Sequence, residues 1–354
     1  MNHCSRPLPC DRMRWLPLSV ALLVLTPLPA TAAASPWQLT PTNTEARFRG
    51  LSAVSDRVAW AGGSGGVVLR TVNGGRAWQR VDPPGASALQ FRDIHAFDAD
   101  RAVVLSIGEG TDSRVYRTSD GGRSWQLAFQ NAEPKAFYDC LTFFDSRNGI
   151  ALSDPVDGKF RILSTSDSGR SWSVLPDKGM PPALAKEAAF AASGQCLVSS
   201  GRRDAWFATG GGTRSRVFHS DDRGRTWRAT ESPVAASESA GIFGMAFTGK
   251  REGVAVGGDF ANATGASTVA LTGDGGRTWQ AGPSQLGGYR SGIAVRPRSV
   301  VAVGPTGSDV SRDGGRSWTR LDGGSFDTVD CTTDGACWAS GERGRIARLS
   351  YRLP

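Results

Sequence analysis

Apolar residues along this chain occur in short runs that are bounded by glycine-rich polar turns. Segments such as "RVAWAGGSGGVVLRT" (57–71), "RAVVLSIGEGTDSRVYRT" (101–118) and "DAWFATGGGTRSRVFHS" (204–220) each have the pattern strand, turn, strand. Short runs of this kind, rich in valine, alanine and aromatic residues and closed by turn residues, are typical of β-strands. The pattern therefore predicts an all-β protein.

Each strand pair is followed by a hydrophilic loop of the form S/T-x-D-x-G-x-S/T-W, as in "TSDGGRSW" (118–125). The tryptophans that end these loops are separated by 47, 47, 55, 52 and 39 residues. A repeat of this length is typical of propeller blades, each a four-stranded sheet. The six tryptophans are Trp78, Trp125, Trp172, Trp227, Trp279 and Trp318.

A seventh, incomplete repeat indicates how the ring closes. The segment "ACWASGERGRIARLS" (336–350) matches the strand pairs but precedes no loop, whereas "PWQLTP" (36–41) resembles a lone outer strand. We therefore predict a seven-bladed β-propeller of four-stranded blades over residues 35–354, in which the N-terminal strand joins the last blade. Such closure removes the exposed sheet edges that an open array would leave.

The repeated loop has a physical explanation as a structural hairpin between the third and fourth strands. Its aspartate can accept hydrogen bonds from the loop's own N–H groups, its glycine permits a positive φ, and its tryptophan buries a large apolar surface. The first repeat departs from this pattern, with Ala77 in place of the hydroxyl residue. The acidic position holds Asn73, Asp120, Asp167, Asp222, Asp274 and Asp313.

The chain begins with an expected secretory signal peptide, residues 1–34. A basic segment with Arg6, Arg12 and Arg14 precedes the apolar stretch "WLPLSVALLVLTPLP", and "ATAAAS" offers an A-x-A cleavage site. We expect the mature protein to be periplasmic, with no membrane span after cleavage. The formal net charge of +8 is mostly arginine, and many arginines occupy one position of the repeated loop. The charge is therefore poor evidence for a nucleic-acid partner.

The cysteines that remain after cleavage are expected to form disulfides. An even number of cysteines in an exported protein permits such pairing. Cys331 and Cys337 are the favoured pair because "CTTDGAC" has two strand ends around a turn, whereas the pairing of Cys140 and Cys196 stays open. The spacing does not fit a zinc site, and we predict no metal and no cofactor.

Propellers bind ligands near the axis, where the innermost strands converge. These strands begin with "FRG" (48–50), "FRD" (91–93), "FYD" (137–139), "FGM" (243–245), "YRS" (289–291) and "FDT" (326–328). An aromatic residue recurs first, and the variable residue after it is expected to face the other way. The predicted binding residues are Arg49, Arg92, Tyr138, Tyr289, Arg290 and Asp327. The insertion "KGMPPALAKEAAFAASG" (178–194) has short helical character and is expected to cover one mouth of the axis.

The strands "WAGGSGGVVLRTVNGGRAW" and "CWASGERGRIARL" resemble those of Asp-box, or bacterial neuraminidase repeat, propellers of the photosystem II stability/assembly factor type. The resemblance implies an exported assembly factor whose axial arginines contact an immature partner protein. By resemblance, Arg49, Arg92 and Arg290 take that role. We therefore expect a monomer without chemistry of its own that binds a protein or a glycan at its axial face.

Sialidases share the same loop and provide the enzymatic alternative. Their N-terminal "[FY]RIP" segment is matched only by "FRIL" (160–163), which lacks the proline. A glycoside hydrolase would use two carboxylates across the axis. Its candidate residues are Asp154, Asp259 and Tyr138, although "SDPVDGK" (153–159) also fits a proline-containing turn.

Overall fold

The described residues form seven separate four-stranded antiparallel sheets, which confirms the predicted seven-bladed β-propeller. The structure is a computed structural model, and it describes Met1, His3, residues 35–264 and residues 269–350. Apart from Met1 and His3, the predicted signal peptide lies outside the described residues.

The strands of each blade follow one another along the chain from the innermost to the outermost, except in the blade that closes the ring. They are β1 (Trp37–Thr40), β2 (Phe48–Ala53), β3 (Ala59–Gly63), β4 (Val68–Thr71), β5 (Gln79–Arg80), β6 (Gln90–Ala96), β7 (Ala102–Ile107), β8 (Arg114–Thr118), β9 (Gln126–Gln130), β10 (Tyr138–Phe143), β11 (Gly149–Val156), β12 (Lys159–Thr165), β13 (Ser173–Val174), β14 (Leu197–Ser200), β15 (Asp204–Ala208), β16 (Arg216–Ser220), β17 (Arg228–Glu231), β18 (Ala240–Thr248), β19 (Glu252–Asp259), β20 (Val269–Thr272), β21 (Gln280–Ala281), β22 (Gly292–Arg296), β23 (Ser299–Gly304), β24 (Gly307–Ser311), β25 (Thr319–Asp322), β26 (Thr328–Cys331), β27 (Cys337–Ser340) and β28 (Ile346–Leu349).

Blades 1 to 6 begin at β2, β6, β10, β14, β18 and β22, and blade 7 combines β26, β27 and β28 with β1. The pairing of β1 with β28 confirms that the N-terminal strand closes the ring, with Trp37 opposite Leu349 and Thr40 opposite Ile346. The Trp37 indole also donates a 2.8 Å hydrogen bond to the hydroxyl of Ser308 in blade 6. The closing strand therefore connects two blades.

Neighbouring blades are held together by buried tryptophans on their second strands. Trp60, Trp206 and Trp338 are fully buried, and large apolar surfaces of this kind are the main source of stability in a sheet core. Each indole donates a hydrogen bond to a carbonyl of the following blade. The acceptors are Asp98, Gly275 and Ser55, at 3.0, 2.9 and 3.0 Å.

The repeated loops close on themselves. In the second repeat, the Asp120 carboxylate accepts hydrogen bonds from the Ser124 N–H at 2.9 Å, the Ser124 hydroxyl at 2.6 Å and the Thr118 hydroxyl at 2.9 Å. The hydrogen bonds from Ser124 lower the pKa of Asp120 to about 2. In the first repeat, Asn73 accepts only the Ala77 N–H and the Thr71 hydroxyl, because Ala77 has no hydroxyl to donate.

Two disulfides connect the four cysteines of the described chain. Cys331 and Cys337 are bonded across the hairpin of β26 and β27 within blade 7. Cys140 of β10 is bonded to Cys196, which precedes β14, so that this bond joins blades 3 and 4 beside the axis. One bond is therefore local and the other spans 56 residues.

The insertion at 178–194 differs from the expected helical character. It contains the end of one short 3₁₀ turn, Asp177–Gly179, and is otherwise irregular in the described chain. Pro181 and Pro182 cannot donate backbone hydrogen bonds, which disfavours a helix at that point. A second 3₁₀ turn covers Gly110–Asp112.

Candidate functional site

The strand registers identify one equivalent position at the start of every innermost strand. Leu51 of β2 lies opposite Ala61, and each other innermost strand has a residue in the corresponding place. In each blade, the residue two positions before the equivalent of Leu51 lies at the mouth of the axis. This mouth is at the opposite end of the propeller from the Asp-box loops. We call this set the axial ring: Arg49, Arg92, Asp139, Gln195, Phe243, Ser291 and Asp327.

Four of the ring residues lie at irregularities in the sheet. The register shifts between Phe48 and Gly50, so that Arg49 has no partner in the ladder, and the same shift occurs around Arg92, Asp139 and Phe243. A bulge of this kind releases one residue from the pairing and redirects its side chain. The backbone therefore presents these four side chains at the entrance face, as we call this end of the propeller.

The ring carries a basic cluster made of Arg47, Arg49 and Arg92. Arg47 binds both oxygens of the Asp327 carboxylate, through Nε at 2.7 Å and Nη2 at 2.6 Å. The Nε of Arg49 lies 3.9 Å from Asp327 and is buried without a hydrogen-bond partner. One carboxylate thus serves two arginines, and Arg47 already occupies both of its oxygens.

The third arginine is held in place by the backbone. Arg92 Nη1 donates a 2.7 Å hydrogen bond to the Ala191 carbonyl, which is uncharged. Burial, together with the charges of Arg49 and Arg47, lowers the pKa of Arg92 to about 10. Burial likewise lowers the pKa of Arg49. The cluster therefore holds more positive charge than its protein neighbours neutralise.

A second carboxyl group of the ring, Asp139, is buried beside the basic cluster. Asp139 is 1% exposed, and one of its oxygens has no hydrogen-bond partner. Burial, together with the nearby charge of Asp154, raises the pKa of Asp139 well above its ordinary value. Burial raises the pKa of Asp154 to about 7. Burial therefore favours the protonated form of Asp139, which lies close enough to Arg92 for their charges to interact.

The end of the insertion lies across the axis at the level of the ring. Gln195 donates from Nε2 to the Thr328 hydroxyl of blade 7, and its Oε1 accepts the Ile293 N–H of blade 6. The Thr328 hydroxyl in turn donates to the Ser193 carbonyl at 2.9 Å. Because Gln195 belongs to blade 4, these contacts span the axis. The end of the insertion thus lies at this mouth of the axis, where Ala191 contacts the ring residue Arg92.

The insertion is anchored by a buried ion pair. Glu187 has a fully buried side chain and accepts hydrogen bonds from Arg216 Nε at 2.8 Å and from the Thr209 hydroxyl at 2.7 Å. Its second oxygen accepts the Leu184 N–H at 2.8 Å. A buried charge is stable only when its hydrogen bonds are complete, and those of Glu187 are. This anchor fixes the position of Ala191, and through it the position of Arg92.

The structure places Arg49, Arg92 and Asp327 in the ring, but it does not place Arg290 there. Arg290 is fully buried and pairs with Asp309 through its Nε at 2.7 Å. The prediction that Arg290 is a binding residue at the axis is therefore wrong. In blade 6 the ring residue is Ser291, and Arg290 occupies the place that Phe48 has in blade 1.

Tyr138 and Tyr289 are also buried, at 0% and 7% exposure. In blade 3 the aromatic position is Tyr138 itself, and Asp139 is the ring residue. A shift of one residue moves a side chain to the opposite face, which explains this difference from the prediction. Tyr289 packs against Phe243, with ring centroids 4.7 Å apart.

The carboxylates of the glycosidase alternative have structural surroundings. Asp154 accepts the Ala189 N–H at 2.8 Å and so holds the insertion. Asp259 accepts the Ala261 N–H at 2.8 Å, and a hydrogen bond with Ser239 lowers the pKa of Asp259. An aspartate with a lowered pKa is a poor general acid at neutral pH. The catalytic assignment of Asp154, Asp259 and Tyr138 stays a prediction.

The predicted binding residues did not include Arg47 or four residues of the ring, which are Asp139, Gln195, Phe243 and Ser291. Arg47 lies before the strand and was outside the aligned motif, and Gln195 follows an insertion that obscures the start of blade 4. Aligning the blades on the small residue at the centre of the second strand, such as Ala61, Ala151 or Ala255, would have identified the ring.

The described residues contain no group of three or more histidine, cysteine, aspartate or glutamate side chains that could hold a metal ion. Among the same residues, no helix has the length and apolar character needed to cross a membrane.

Comparison with known families gives one clear match. The family described as photosynthesis system II assembly factor YCF48 matches residues 33–286 of this chain. No curated protein is recognisably similar in sequence.

Solved structures show the same fold. A structure of YCF48 bound to a D1 peptide has a TM-score of 0.63 and 16% identity, and the match covers 91% of this chain and 99% of that one. YCF48 from Cyanidioschyzon merolae has a TM-score of 0.63 and 17% identity, covering 89% and 99%. An ancestral GH74 enzyme has a TM-score of 0.64 and 14% identity, covering 88% of this chain and 46% of that one. Identities this low show the fold alone.

Proposed function

Because this chain belongs to the YCF48 family of photosystem II assembly factors, we propose that it binds a segment of a partner protein at the entrance face. The relative that holds a D1 peptide supports peptide binding by a propeller of this family. In this proposal the chain is an assembly factor or scaffold that recognises its partner without chemistry of its own. The propeller fold alone does not determine which protein is bound.

The observation that carries this proposal is the excess of positive charge at the axial ring. Arg47, Arg49 and Arg92 share the carboxylate of Asp327, the charge of Glu342 acts on Arg47, and burial raises the pKa of Asp139 well above its ordinary value. A partner carboxylate would relieve the repulsion among the arginines and satisfy the unpartnered Nε of Arg49. Charge-assisted hydrogen bonds of guanidinium to carboxylate are among the strongest polar contacts in proteins. The favoured ligand is therefore an acidic protein segment.

We propose that the mature chain is exported to the periplasm and acts there as a monomer. The basic and apolar start of the sequence supports export. The disulfides Cys140–Cys196 and Cys331–Cys337 support an oxidising compartment. Cell fractionation with an antibody against the full chain tests this point, and recovery of an unprocessed cytosolic chain would contradict it.

A glycan ligand is the competing candidate, because arginines also pair with acidic sugars. Hydrolysis of a glycan would require an accessible pair of carboxyl groups. Asp139 is buried, so the pair that it forms with Asp154 does not meet that requirement. Release of reducing sugar from an acidic polysaccharide by the purified chain, at a rate lost on Asp154→Asn, would favour the hydrolase instead.

The experiment places a photo-crosslinking amino acid at Arg47, whose side chain is 42% exposed. Irradiation of cells and mass spectrometry of the products would identify which molecule lies at the ring. We expect a protein crosslinked through an acidic segment. Arg49→Gln with Arg92→Gln should reduce the product by at least about tenfold, because each lost charged hydrogen bond contributes roughly 1.5–3 kcal/mol.

The control places the same crosslinker at Arg76, an exposed residue of the first Asp-box loop. A product specific to Arg47 and dependent on the two arginines supports the proposal. An identical product from both positions, or one that survives the double substitution, would overturn it. The melting temperature of the double variant should match the wild type within about 2 °C, which separates lost binding from lost folding.

A further inference from the structure

Four aromatic side chains beside the basic cluster form what we call the aromatic shelf: Phe190, Phe243, Phe260 and Tyr289. The rings of Phe190 and Phe243 are stacked, with centroids 4.3 Å apart and planes 8° from parallel. Phe260 meets both of them edge-on at 6.1 and 6.2 Å, and Tyr289 meets Phe243 edge-on. Such arrangements are favourable beyond the area that they bury.

The aromatic side chain of Phe260, one of the four residues of the shelf, is exposed to solvent. Phe260 is 54% exposed, and it is the only aromatic residue among the exposed large hydrophobic side chains of residues 35–264 and 269–350. Its backbone is nevertheless fixed, because the Phe260 N–H donates to the Ser239 carbonyl at 3.1 Å and the preceding Asp259 closes a turn with Ala261. The exposed ring is therefore held in place before any ligand arrives, which reduces the entropy lost on binding.

Two glycines leave space for the aromatic side chain of Phe190, one of the four residues of the shelf. A Cβ atom at Gly210 would lie 2.4 Å from Phe190 Cε2, and one at Gly241 would lie 3.0 Å from the same atom. Neither glycine has a positive φ, but their backbones also lie against each other, and a Cβ atom at Gly241 would lie 2.5 Å from Gly210 Cα. The two glycines thus leave space in which the Phe190 ring stacks on Phe243.

The shelf and the basic cluster share the same segments of chain. Phe190 immediately precedes Ala191, whose carbonyl accepts the hydrogen bond from Arg92. On the other side, the charges of Arg49 and Arg47 act on the Tyr289 hydroxyl. Phe243 is a member of the axial ring, as Arg49 and Arg92 are, and also a member of the shelf. An apolar surface and an excess of positive charge therefore adjoin at one mouth of the propeller.

Resting on the proposed function, we propose that the aromatic shelf binds an apolar side chain of the same protein segment whose carboxylate pairs with Arg49 and Arg92. The ligand is then a peptide that carries both an acidic group and an aromatic or large aliphatic residue in one continuous segment. Charge alone would select any acidic polymer, and the shelf adds the preference that distinguishes one acidic segment from another.

A protein segment fits the shelf better than a sugar. Sugars that stack on aromatic rings also need polar groups around the ring to satisfy their hydroxyls. Here the nearest carboxylate, Asp259, is already occupied by Ser239 and the Ala261 N–H. The neighbouring rings Phe190 and Phe243 have no polar atoms. An apolar side chain leaves no hydrogen-bonding group unsatisfied at this place.

The test selects a random-peptide phage library on the immobilised full chain, as wild type and as Phe260→Ser. Arg49→Gln with Arg92→Gln is selected in parallel, and Leu127→Ser serves as the matched control because Leu127 is an exposed apolar residue on an outer strand. The wild type should enrich peptides that combine acidic and apolar residues. Phe260→Ser should keep the acidic preference and lose the apolar one, whereas Leu127→Ser should behave as wild type.

Calorimetric titration of one selected peptide gives the magnitude. We expect Phe260→Ser to weaken binding by about tenfold, the effect of losing a few tens of Å² of apolar contact, and Phe260→Leu to restore most of the affinity. Thermal unfolding of each variant confirms that it is folded. An identical apolar preference in wild type and Phe260→Ser would overturn the shelf and leave the arginine site intact.

Two further outcomes have different meanings. Peptides selected without acidic residues, or with no dependence on Arg49 and Arg92, would overturn the proposed function itself, and the shelf assignment with it. Retention of the wild type on immobilised polygalacturonate, with loss on Phe260→Ser and with no peptide enriched, would assign the shelf to a glycan and overturn the protein ligand.

Discussion

At the Asp-box end of the propeller, Asp120 accepts hydrogen bonds from Thr118 and Ser124 of its own loop. Along the axis, the Asp93 carboxylate instead accepts the Leu141 N–H of the next blade at 2.7 Å. Asp330 does the same for the Ala53 N–H of blade 1 at 2.8 Å. The Asp120 carboxylate is thus satisfied within one loop, whereas Asp93 and Asp330 each bind a neighbouring blade in addition to the N–H of the next residue in their own strand.

This difference explains why one region repeats and the other varies. A loop that supplies its own donors has the same requirements in every blade, so the same residues recur. A side chain on the axis meets a neighbour that differs from blade to blade. The axial ring therefore holds a different combination of arginine, aspartate, glutamine, phenylalanine and serine, and its chemistry depends on which blades are adjacent.

The two disulfides compare a contact within one blade with a contact between two blades, and their removal should have a large effect on the free energy of unfolding. Cys140→Ala with Cys196→Ala should lower the free energy of unfolding by about 4 kcal/mol, and Cys331→Ala with Cys337→Ala by about 2 kcal/mol. The reason is that the entropy removed from the unfolded chain grows with the loop that a disulfide closes, and these loops have sequence separations of 56 and 6. Urea unfolding of both double variants measures the difference, and a larger loss from the short loop would contradict it.

Two glycines with similar backbone conformations allow the same comparison between the axis and an Asp-box loop. Gly194 on the axis and Gly121 in an Asp-box loop have nearly the same φ, +77° and +76°. Replacing either one by alanine introduces similar backbone strain, about 1 kcal/mol. The added Cβ at Gly194 would lie 2.6 Å from the buried Asp93 carboxylate, whereas at Gly121 it would meet only the flexible end of Arg70 at 2.9 Å.

We therefore expect Gly194→Ala to cost about 3 kcal/mol of unfolding free energy and Gly121→Ala about 1 kcal/mol. Chemical denaturation of the two variants measures both values. Gly194→Ala should also weaken partner binding, because it displaces the segment that holds Arg92. Equal destabilisation by the two substitutions would show that the axis tolerates the displacement as readily as the rim.

The fold could be predicted from the sequence because the signal is local and repeated. Six Asp-box loops fix the blade spacing, and the lone strand at Trp37 fixes the closure with β28. The ring was only partly predictable. Arg49, Arg92 and Asp327 follow an aromatic residue at the expected place, but Tyr138 and Arg290 are one position out of register.

The missing information was the pairing between strands. In blade 6, Ser291 takes the ring position and Arg290 is buried against Asp309, which no pattern of aromatic residues reveals. The contact of Gln195 with blades 6 and 7 is equally invisible, because it joins residues about a hundred positions apart across the channel. Local sequence patterns predict the strands. Which side chains meet in the central channel depends on how the seven blades close into a ring.

The last prediction concerns pH, because the axis raises the pKa of its carboxyl groups whereas the Asp-box loops lower the pKa of theirs. Burial raises the pKa of Asp93 to about 8 and that of Asp330 to about 6. These groups bind protons more tightly when folded, so their contribution to stability is lost as pH rises from about 4 to about 8. The pKa of Asp120 is lowered to about 2, so its contribution is present above about pH 4 and is lost as pH falls.

Stability should therefore be greatest near pH 4 to 5, and it should decline toward pH 8 with a slope of at most about 1.4 kcal/mol per pH unit for each axial group. Asp93→Asn removes one of these groups, so we expect it to flatten the decline between roughly pH 5 and pH 8 and to leave the acid side unchanged. Asp120→Asn should change only the acid side. Urea midpoints measured across this range test both variants, and a wild-type stability that rises from pH 5 to pH 8 would show that the axial carboxyl groups are ionised in the folded protein.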